Sequence, residues 1–490
     1  MILLALIGVP LLAAGALALV KAPRQADRLH LAASGLTAAL AAWVVAMAAR
    51  DQVPEAPAAA LRADPLSAFM VALVAGVALL AGLALPAWLE VETATGRVTA
   101  GRAVVARSLF HLFVLSMLLA VTTDNVGLMW VAVEGTTLAS VFLITVERRR
   151  GSVEAAYKYL LICSVGIAVA FMGTALVYLA DSPSLRAGEQ ALSWVALVAA
   201  APGLPPAVLR LAFVFLLIGY GTKAGLAPMH TWLPDAHSEA PAPVSALMSG
   251  VLLAVGLYAL LRFKVVVDLA VGPAFSGGLL AAFGLLSMAV AAIFLWAPRS
   301  YKRMLAYSSV EHVGLACVGL GLGGPLGAAA GLFHLVGHAL AKASLFLLAG
   351  RILQRFGSAE VARVRGLRQA MPWTARAFLL GVLGLLGLPP SGLFLSEVLI
   401  VRAGLAGPAP WAAGLALALL VAAFAGMLRT VHRMIHGEPP AHVTAGEPRP
   451  WTLAPAGVGL TLLAVLGLAL PGSWWIALGR VAAVVAPVGP

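Results

Sequence analysis

Six ionisable residues lie inside long apolar stretches, and they point most directly to chemistry. They are Glu134, Lys223, His334, His338, Lys342 and Glu397. An ionisable side chain at the centre of a bilayer costs at least ~2.5–3.5 kcal/mol on insertion scales, so each needs a compensating role. Because histidine changes charge near neutral pH, and carboxylates and lysine also exchange protons, the set predicts a pathway for protons or another small cation.

His334, His338 and Lys342 follow one another at intervals of four residues. In a helix this spacing places them roughly along one face, over ~12 Å at 1.5 Å per residue. Such a ladder can pass protons with the help of intervening water. The alternative is a set of satisfied hydrogen bonds between helices, but three aligned groups that include a lysine favour conduction.

Glu134 and Lys223 become neighbours if the helices that carry them pack together. An ion pair between them would explain how either charge is tolerated, and breaking it would let the lysine release its proton. A static structural salt bridge is the alternative.

His230, His237, Glu311 and His312 are weaker candidates, because they lie near the ends of apolar stretches. The first two follow a proline-broken stretch, a position more typical of residues that cap helices at the membrane surface. The other two lie a turn or two inside the apolar stretch 304–323, which follows a basic loop. There the sequence leaves two roles open, proton entry from the cytoplasm and helix capping.

The elements that carry these residues are predicted to be membrane-spanning helices. The chain of 490 residues is 62% hydrophobic and only 11% charged, which excludes a water-soluble fold. Its apolar runs lack the alternation of a barrel, and 50 glycines suit closely packed helices. Fourteen spans are predicted, at 2–20, 29–49, 65–89, 105–122, 125–146, 157–180, 206–229, 243–265, 275–297, 304–323, 326–350, 374–401, 409–434 and 452–483.

Prolines interrupt the seventh and twelfth spans at Pro228 and at Pro389–Pro390, and both helices are predicted to break there. Lys223 and Glu397 lie near these breaks and are separated by five spans, as are Glu134 and Glu311. Because five is odd, a duplication with this offset gives two inverted five-helix repeats. The predicted regions are 1–104 (three N-terminal helices), 105–265 and 266–434 (the repeats), and 435–490 (helix 14).

Basic residues collect in the loops after spans 1, 3, 5, 9, 11 and 13, for example Arg97, Arg102, Lys302 and Arg303. By the positive-inside rule these loops are cytoplasmic, which places both termini outside. The net charge of +12 therefore reflects topology, whereas nucleic-acid binding would need one basic folded surface.

No cofactor or metal site is expected in this chain, because Cys163 and Cys317 stand alone inside apolar spans and no nucleotide or flavin motif is present. The stretch 351–373 fits either an amphipathic surface helix or a plain basic connector.

Four long motifs resemble the antiporter-like proton-channel subunits shared by respiratory complex I, cation/proton antiporters and energy-converting hydrogenases. They are KAGLAPMHTWLPDAHSEAPAPVSALMSG, YKRMLAYSSVEH, HLVGHALAKASLFLLAG and GLPPSGLFLSE, in the order of that family. The resemblance is strongest to the hydrogenase-4 component F branch. It implies a fourteen-helix fold with two inverted halves. It also implies a proton pathway at the membrane centre, formed by Glu134, Lys223, His334, His338, Lys342 and Glu397.

One departure from the family stands in span 8. Many relatives carry a lysine or histidine there, whereas this chain has Ser249 and Ala254 at the matching positions, so the relay must use water or is weakened.

The resulting prediction is a proton-translocating subunit of a redox-driven complex in a prokaryotic cytoplasmic membrane. Other membrane subunits and a peripheral redox arm are the expected partners, and the redox centres are expected outside this chain. A sodium/proton antiporter subunit and a non-conducting membrane scaffold are the alternatives.

Overall fold

The computed structural model describes residues 1–56, 60–147, 149–180 and 192–486, which form a bundle of helices. Among these residues, 13 helical segments are long and apolar enough to cross a membrane. The helices are α1 Ile2–Leu19, α2 Pro23–Ala49, α3 Pro65–Ala94, α4 Ala100–Thr122, α5 Val126–Ile144, α6 Arg150–Ala180, α7 Trp194–Ala200, α8 Pro206–Ala224, α9 Trp232–Glu239, α10 Ala242–Leu247, α11 Leu253–Val271, α12 Pro273–Leu295, α13 Tyr301–Leu322, α14 Gly324–Phe356, α15 Leu367–Ala370, α16 Pro372–Leu385, α17 Gly392–Leu405, α18 Pro410–Ile435, α19 Ala454–Leu468 and α20 Gly472–Val485. The predicted all-helical membrane fold is confirmed, with one addition, the short antiparallel pair β1 Glu55–Ala56 and β2 Leu61–Arg62.

The seventh span is broken as predicted. Helix α8 ends at Ala224, and Gly225 follows in the left-handed conformation with φ +76°. The indole of Trp232 donates to the Thr222 carbonyl (2.9 Å), and the hydroxyl of Ser287 accepts from the amide of Ala227 (2.9 Å). Side chains therefore satisfy backbone groups that the break leaves free inside the membrane.

The twelfth span is also broken as predicted, between α16 and α17. The hydroxyl of Ser391 donates to the Gly384 carbonyl (2.7 Å) and accepts from the amide of Leu393 (3.1 Å). One side chain thus serves the end of α16 and caps the start of α17.

The eighth span lies at the centre of the bundle, and every residue of its most apolar 18-residue window is buried. It consists of α10, the π-helical segment Met248–Leu252 and α11. Single π-helical turns widen a helix locally and are frequent at functional sites. Ser249, noted above as the departure from the family, lies in this segment.

One detail of the predicted elements is wrong, and one alternative left open by the sequence is decided. The fourteenth span is two helices, because Pro471 follows the end of α19 and precedes α20. The stretch 351–373 contains the end of α14, a 3-10 turn at Val361–Arg363 and the four-residue helix α15, so it is mainly a connector.

A buried ion pair ties the start of α3 to α11. The guanidinium of Arg262 contacts both carboxylate oxygens of Asp64, at 2.6 and 2.7 Å, and lies 4.2 Å from the ring centre of Trp194. The same carboxylate caps α3 by accepting from the amide of Ser67 (2.9 Å). Sequence reasoning missed this pair because its members are nearly 200 residues apart.

Candidate functional site

Lys223 lies in the last turn of α8, just before the break, and is fully buried. Its ammonium donates to the hydroxyls of Thr137 (2.7 Å) and Tyr159 (3.0 Å). The hydroxyl of Ser140 lies 2.7 Å from that of Tyr159. The carbonyl end of a helix favours a cation, so the position of α8 helps to tolerate this charge.

Glu134 is half-buried on α5 and lies near Lys223 without touching it. Its carboxylate accepts from Ser164 (2.6 Å) and from Thr137 (3.1 Å). No described ion pair within 4.0 Å joins Glu134 to Lys223, so the direct contact expected from the sequence is replaced by a bridge through Thr137. Because Thr137 accepts from the ammonium and donates to the carboxylate, it offers a one-residue relay between them.

A second cluster begins where α13 meets α14. Nδ1 of His312 lies 3.0 Å from Nε2 of His334, and Nδ1 of His334 lies 2.9 Å from the hydroxyl of Ser396 on α17. The Ser396 hydroxyl donates to the Leu393 carbonyl (2.8 Å). Because the Ser396 hydroxyl uses its proton for that carbonyl, Nδ1 of His334 must be the donor to Ser396. The Nε2 atom of His334 then carries a lone pair, and this lone pair faces His312.

The cluster continues along α14 as the spacing predicts. His338 donates from Nε2 to the Ser249 carbonyl (3.1 Å), and its ring centre lies 5.6 Å from that of His312. Lys342 donates to the Leu305 carbonyl (2.7 Å) and to the hydroxyl of Ser308. The ladder therefore faces α13 over its whole length, and its side chains are at most 2% exposed.

Ser249 connects the ladder to the central span. Its hydroxyl lies 2.7 Å from that of Ser309, while its carbonyl accepts from His338. A serine at this position was noted from the sequence only as a missing lysine or histidine. Its contacts depend on the π-helical segment, which no sequence pattern indicated.

The expectation that His230 and His237 cap helices at the membrane surface is wrong for His237. It is fully buried and stacks on Phe346 with ring centres 4.9 Å apart, and neither of its ring nitrogens has a hydrogen-bond partner among the described residues. His230 is 7% exposed and lies 6.1 Å from the ring centre of Tyr307. Both ring nitrogens of the buried His237 imidazole are therefore uncommitted to other side chains, as a proton-exchanging group requires.

Lys302 holds the end of the broken seventh span. Its ammonium donates to the carbonyls of Ser238 (2.8 Å), in the last turn of α9, and of Ala240 (2.9 Å), the residue after that helix. A lysine from α13 thereby satisfies carbonyls at a helix C-terminus. Sequence reasoning placed Lys302 only in a basic loop.

Glu311, His312 and Glu397 line a lateral groove, which we define as the cavity of about 960 Å³ between α13, α16, α17 and α18. Glu311 is 3% exposed and its Oε2 has no hydrogen-bond partner among the described residues. It is the eleventh residue of α13, ~15 Å along the helix, so it lies deeper than sequence reasoning expected. The outer wall carries exposed apolar side chains, including Val398 (46%) and Val421 (62%), so the groove opens sideways.

Gly387 makes room for Glu397, and we expect Gly387→Ala to lower the free energy of unfolding by about 1 kcal/mol more than Gly96→Ala, the low end for overpacking, because the flexible carboxylate can shift into the groove. Both glycines have positive φ, +67° and +73°. A Cβ on Gly387 would stand 2.0 Å from Oε2 of Glu397, whereas nothing lies within 4 Å at Gly96. Thermal unfolding in detergent measures the difference, and equal losses for the two variants would contradict this packing.

Comparison with known proteins gives a consistent family. The family model described as NADH:quinone oxidoreductase/Mrp antiporter, transmembrane, matches residues 123–424. The hydrogenase-4 component F homolog of Methylacidiphilum infernorum (isolate V4) is 40% identical over 342 residues, 70% of each chain. Hydrogenase-4 component B of Escherichia coli (strain K12) is 34% identical over 400 residues, which are 76% of this chain and 56% of that protein.

The fold has a solved counterpart. A chain of the Mrp complex from Dietzia sp. DQ12-45-1b superposes with a TM-score of 0.86 at 23% identity, covering 99% of this chain and 97% of that one. At this identity the likeness concerns the fold.

Proposed function

Because this chain belongs to the NADH:quinone oxidoreductase/Mrp antiporter transmembrane family, we propose that it translocates protons as a membrane subunit of a redox-driven complex. The observation that carries the proposal is the set of buried titratable side chains joined by hydrogen bonds across α5, α8, α13 and α14. Burying one such group is costly, and burying a connected series of them without use would be more so.

Within the proposal, Lys223 is the proton carrier of the first half and the ladder with His312 is the carrier of the second. Thr137 passes the proton between Lys223 and Glu134, and water near Ser249 and His237 joins the two halves. Glu397, on the lateral groove, is the outlet or inlet of the second half.

The proposed partners are other membrane subunits, and a peripheral arm that holds the redox centres. One relative is named hydrogenase-4 component B and another a hydrogenase-4 component F homolog, which supports a place in a multi-subunit assembly. The proton gradient would then be driven by electron transfer outside this chain.

The proposed location is a prokaryotic cytoplasmic membrane with both termini on the outer side. Arg449, in the basic loop after α18, contacts Glu90 near the end of α3 (2.7 Å), so the loops after these two helices lie together. Arg303, at the start of α13, contacts Asp235 on α9. By the positive-inside rule these basic residues face the cytoplasm.

The test is proton flux into liposomes that contain the purified full chain, driven by an imposed pH gradient. Lys342→Met is expected to lower the flux at least ~10-fold, because losing a proton-transfer group costs about 10²–10⁴-fold in such steps. Lys21→Met, which changes an exposed lysine, is the control. Unchanged flux in correctly folded Lys342→Met would favour a scaffold, and flux that requires sodium would favour an antiporter.

A further inference from the structure

Three side chains from three helices converge beside the lateral groove. They are His312 on α13, His334 on α14 and Glu397 on α17, and their ligand atoms all lie within 4.8 Å of one another. No spacing in the sequence indicates this set, because its members are far apart along the chain. Two imidazole nitrogens and one carboxylate are the three-ligand set of many zinc sites that keep an open fourth position.

The ring nitrogen of His334 that faces His312 carries a lone pair. His334 donates from Nδ1 to Ser396, so its Nε2 lone pair faces Nδ1 of His312 at 3.0 Å. A metal-bound histidine almost always donates its other ring N–H to an acceptor in this manner, which fixes the ring. The 3.0 Å between Nδ1 of His312 and Nε2 of His334 is close to the separation of two nitrogens that each bind one ion at ~2.0–2.1 Å.

A second, independent feature points to a ligand at this place. Glu311 lines the same groove, is 3% exposed, and leaves Oε2 without a hydrogen-bond partner among the described residues. A buried carboxylate oxygen with no partner is costly, and a nearby cation would compensate it. The groove, at about 960 Å³, also leaves space for an ion beside His312 and Glu397.

We propose that His312, His334 and Glu397 bind a divalent transition metal of the zinc class, and that the bound ion blocks proton transfer through the ladder. The nitrogen ligands select such an ion against Mg²⁺ and Ca²⁺, which prefer oxygen ligands. The ion occupies the space between Nδ1 of His312 and Nε2 of His334, where one proton now lies. His312 keeps its proton on Nε2 instead, and the two rings can no longer pass a proton to each other.

The binding is independent of the proposed function, while the blocking effect rests on it. We expect the purified full chain to bind Zn²⁺ in calorimetric titration, and Co²⁺ to give the intense visible absorption of a four-coordinate site. Both titrations are done in a His432→Asn/His436→Asn background, because those two rings lie 4.4 Å apart on α18 and offer a competing pair.

Glu397→Gln and His334→Gln are each expected to weaken Zn²⁺ binding at least ~10-fold, since removing even an outer-shell partner costs about 10–100-fold. His111→Asn is the matched control: His111 lies 3.0 Å from His30 in the same nitrogen-to-nitrogen contact but belongs to no described three-ligand set. Binding that is lost in His111→Asn and kept in both other variants overturns the site, as does an absence of Zn²⁺ binding in the parent chain.

Flux measurements separate the two proposals. Zn²⁺ at saturating concentration is expected to lower proton flux in the parent chain, and the concentration that gives half-maximal inhibition is expected to match the Kd from calorimetry. Binding without inhibition overturns the blocking effect, and binding in a chain that carries no proton flux overturns the proposed function while the site stands.

Discussion

Replacing Lys223 by methionine is expected to abolish proton flux in liposomes while the protein still folds. Lys223 is the fully buried ammonium in the first half that donates to Thr137 and Tyr159. Methionine has a similar length and no proton to give, so the relay to Glu134 through Thr137 loses its donor. A fall of about 10²-fold or more is expected from the removal of a proton-transfer group.

Lys223→Arg distinguishes a proton carrier from a structural charge. Arginine keeps the positive charge but does not release its proton in proteins, so flux should fall with Arg as it does with Met. Lys158→Met is the control, because Lys158 lies on the neighbouring helix α6 but is 47% exposed and pairs with Glu154. Normal flux in Lys223→Arg would show that only the charge matters, and would contradict the proton-carrier role.

Arg262→Met is expected to lower the free energy of unfolding by about 3–5 kcal/mol, because it leaves the Asp64 carboxylate buried without its partner. The side chains of Arg262 and Asp64 are only 6% and 8% exposed. The double variant Asp64→Leu/Arg262→Met should recover most of this loss, since well-packed apolar residues replace a buried pair at little cost. Equal losses in the single and double variants would contradict a pair-specific effect.

The control for that pair is Glu360→Ala, which removes an ion pair with Arg363 whose side chains are 57% and 69% exposed. Such a surface pair contributes about 0–1 kcal/mol. Burial by itself would raise the pKa of the Asp64 carboxyl, but the charge and hydrogen bonds of Arg262, with smaller contributions from the Ser67 amide and Arg62, together hold the pKa below its usual value. The contribution of the pair is therefore complete above the ordinary Asp pKa of about 3.9 and declines as the pH falls through the lowered pKa.

The helices and their breaks were predictable, because they depend on local signals. Apolar runs mark the stretches that cross lipid, and Pro228 and Pro389–Pro390 mark the broken spans. The ends of the helices were less predictable. Helix α14 continues to Phe356, beyond the predicted residue 350, because hydropathy marks only the hydrocarbon region and a helix can extend past it. The inverted relation of the two halves stays a prediction.

The candidate site was predictable as residue types but not as contacts. The ladder spacing on α14 indicated one face, and all three side chains meet α13. Thr137 was missed because a threonine in an apolar helix has no distinctive pattern, although its position between Glu134 and Lys223 decides their geometry. His237 was misplaced because its neighbours in sequence are polar, whereas its environment is set by packing against Phe346.

Helix α14 has 33 residues and is therefore ~50 Å long, well beyond the ~30 Å of hydrocarbon in a bilayer. Its overhanging end is anchored outside the lipid, where Arg351 contacts Glu447 (3.2 Å) and Gln354 contacts Glu92 (2.9 Å). A helix held at its projecting end by the rest of the chain keeps its position along the bundle when the surrounding lipid thins or thickens. The histidines and the lysine it carries thus stay level with their acceptors on α13 in membranes of different thickness.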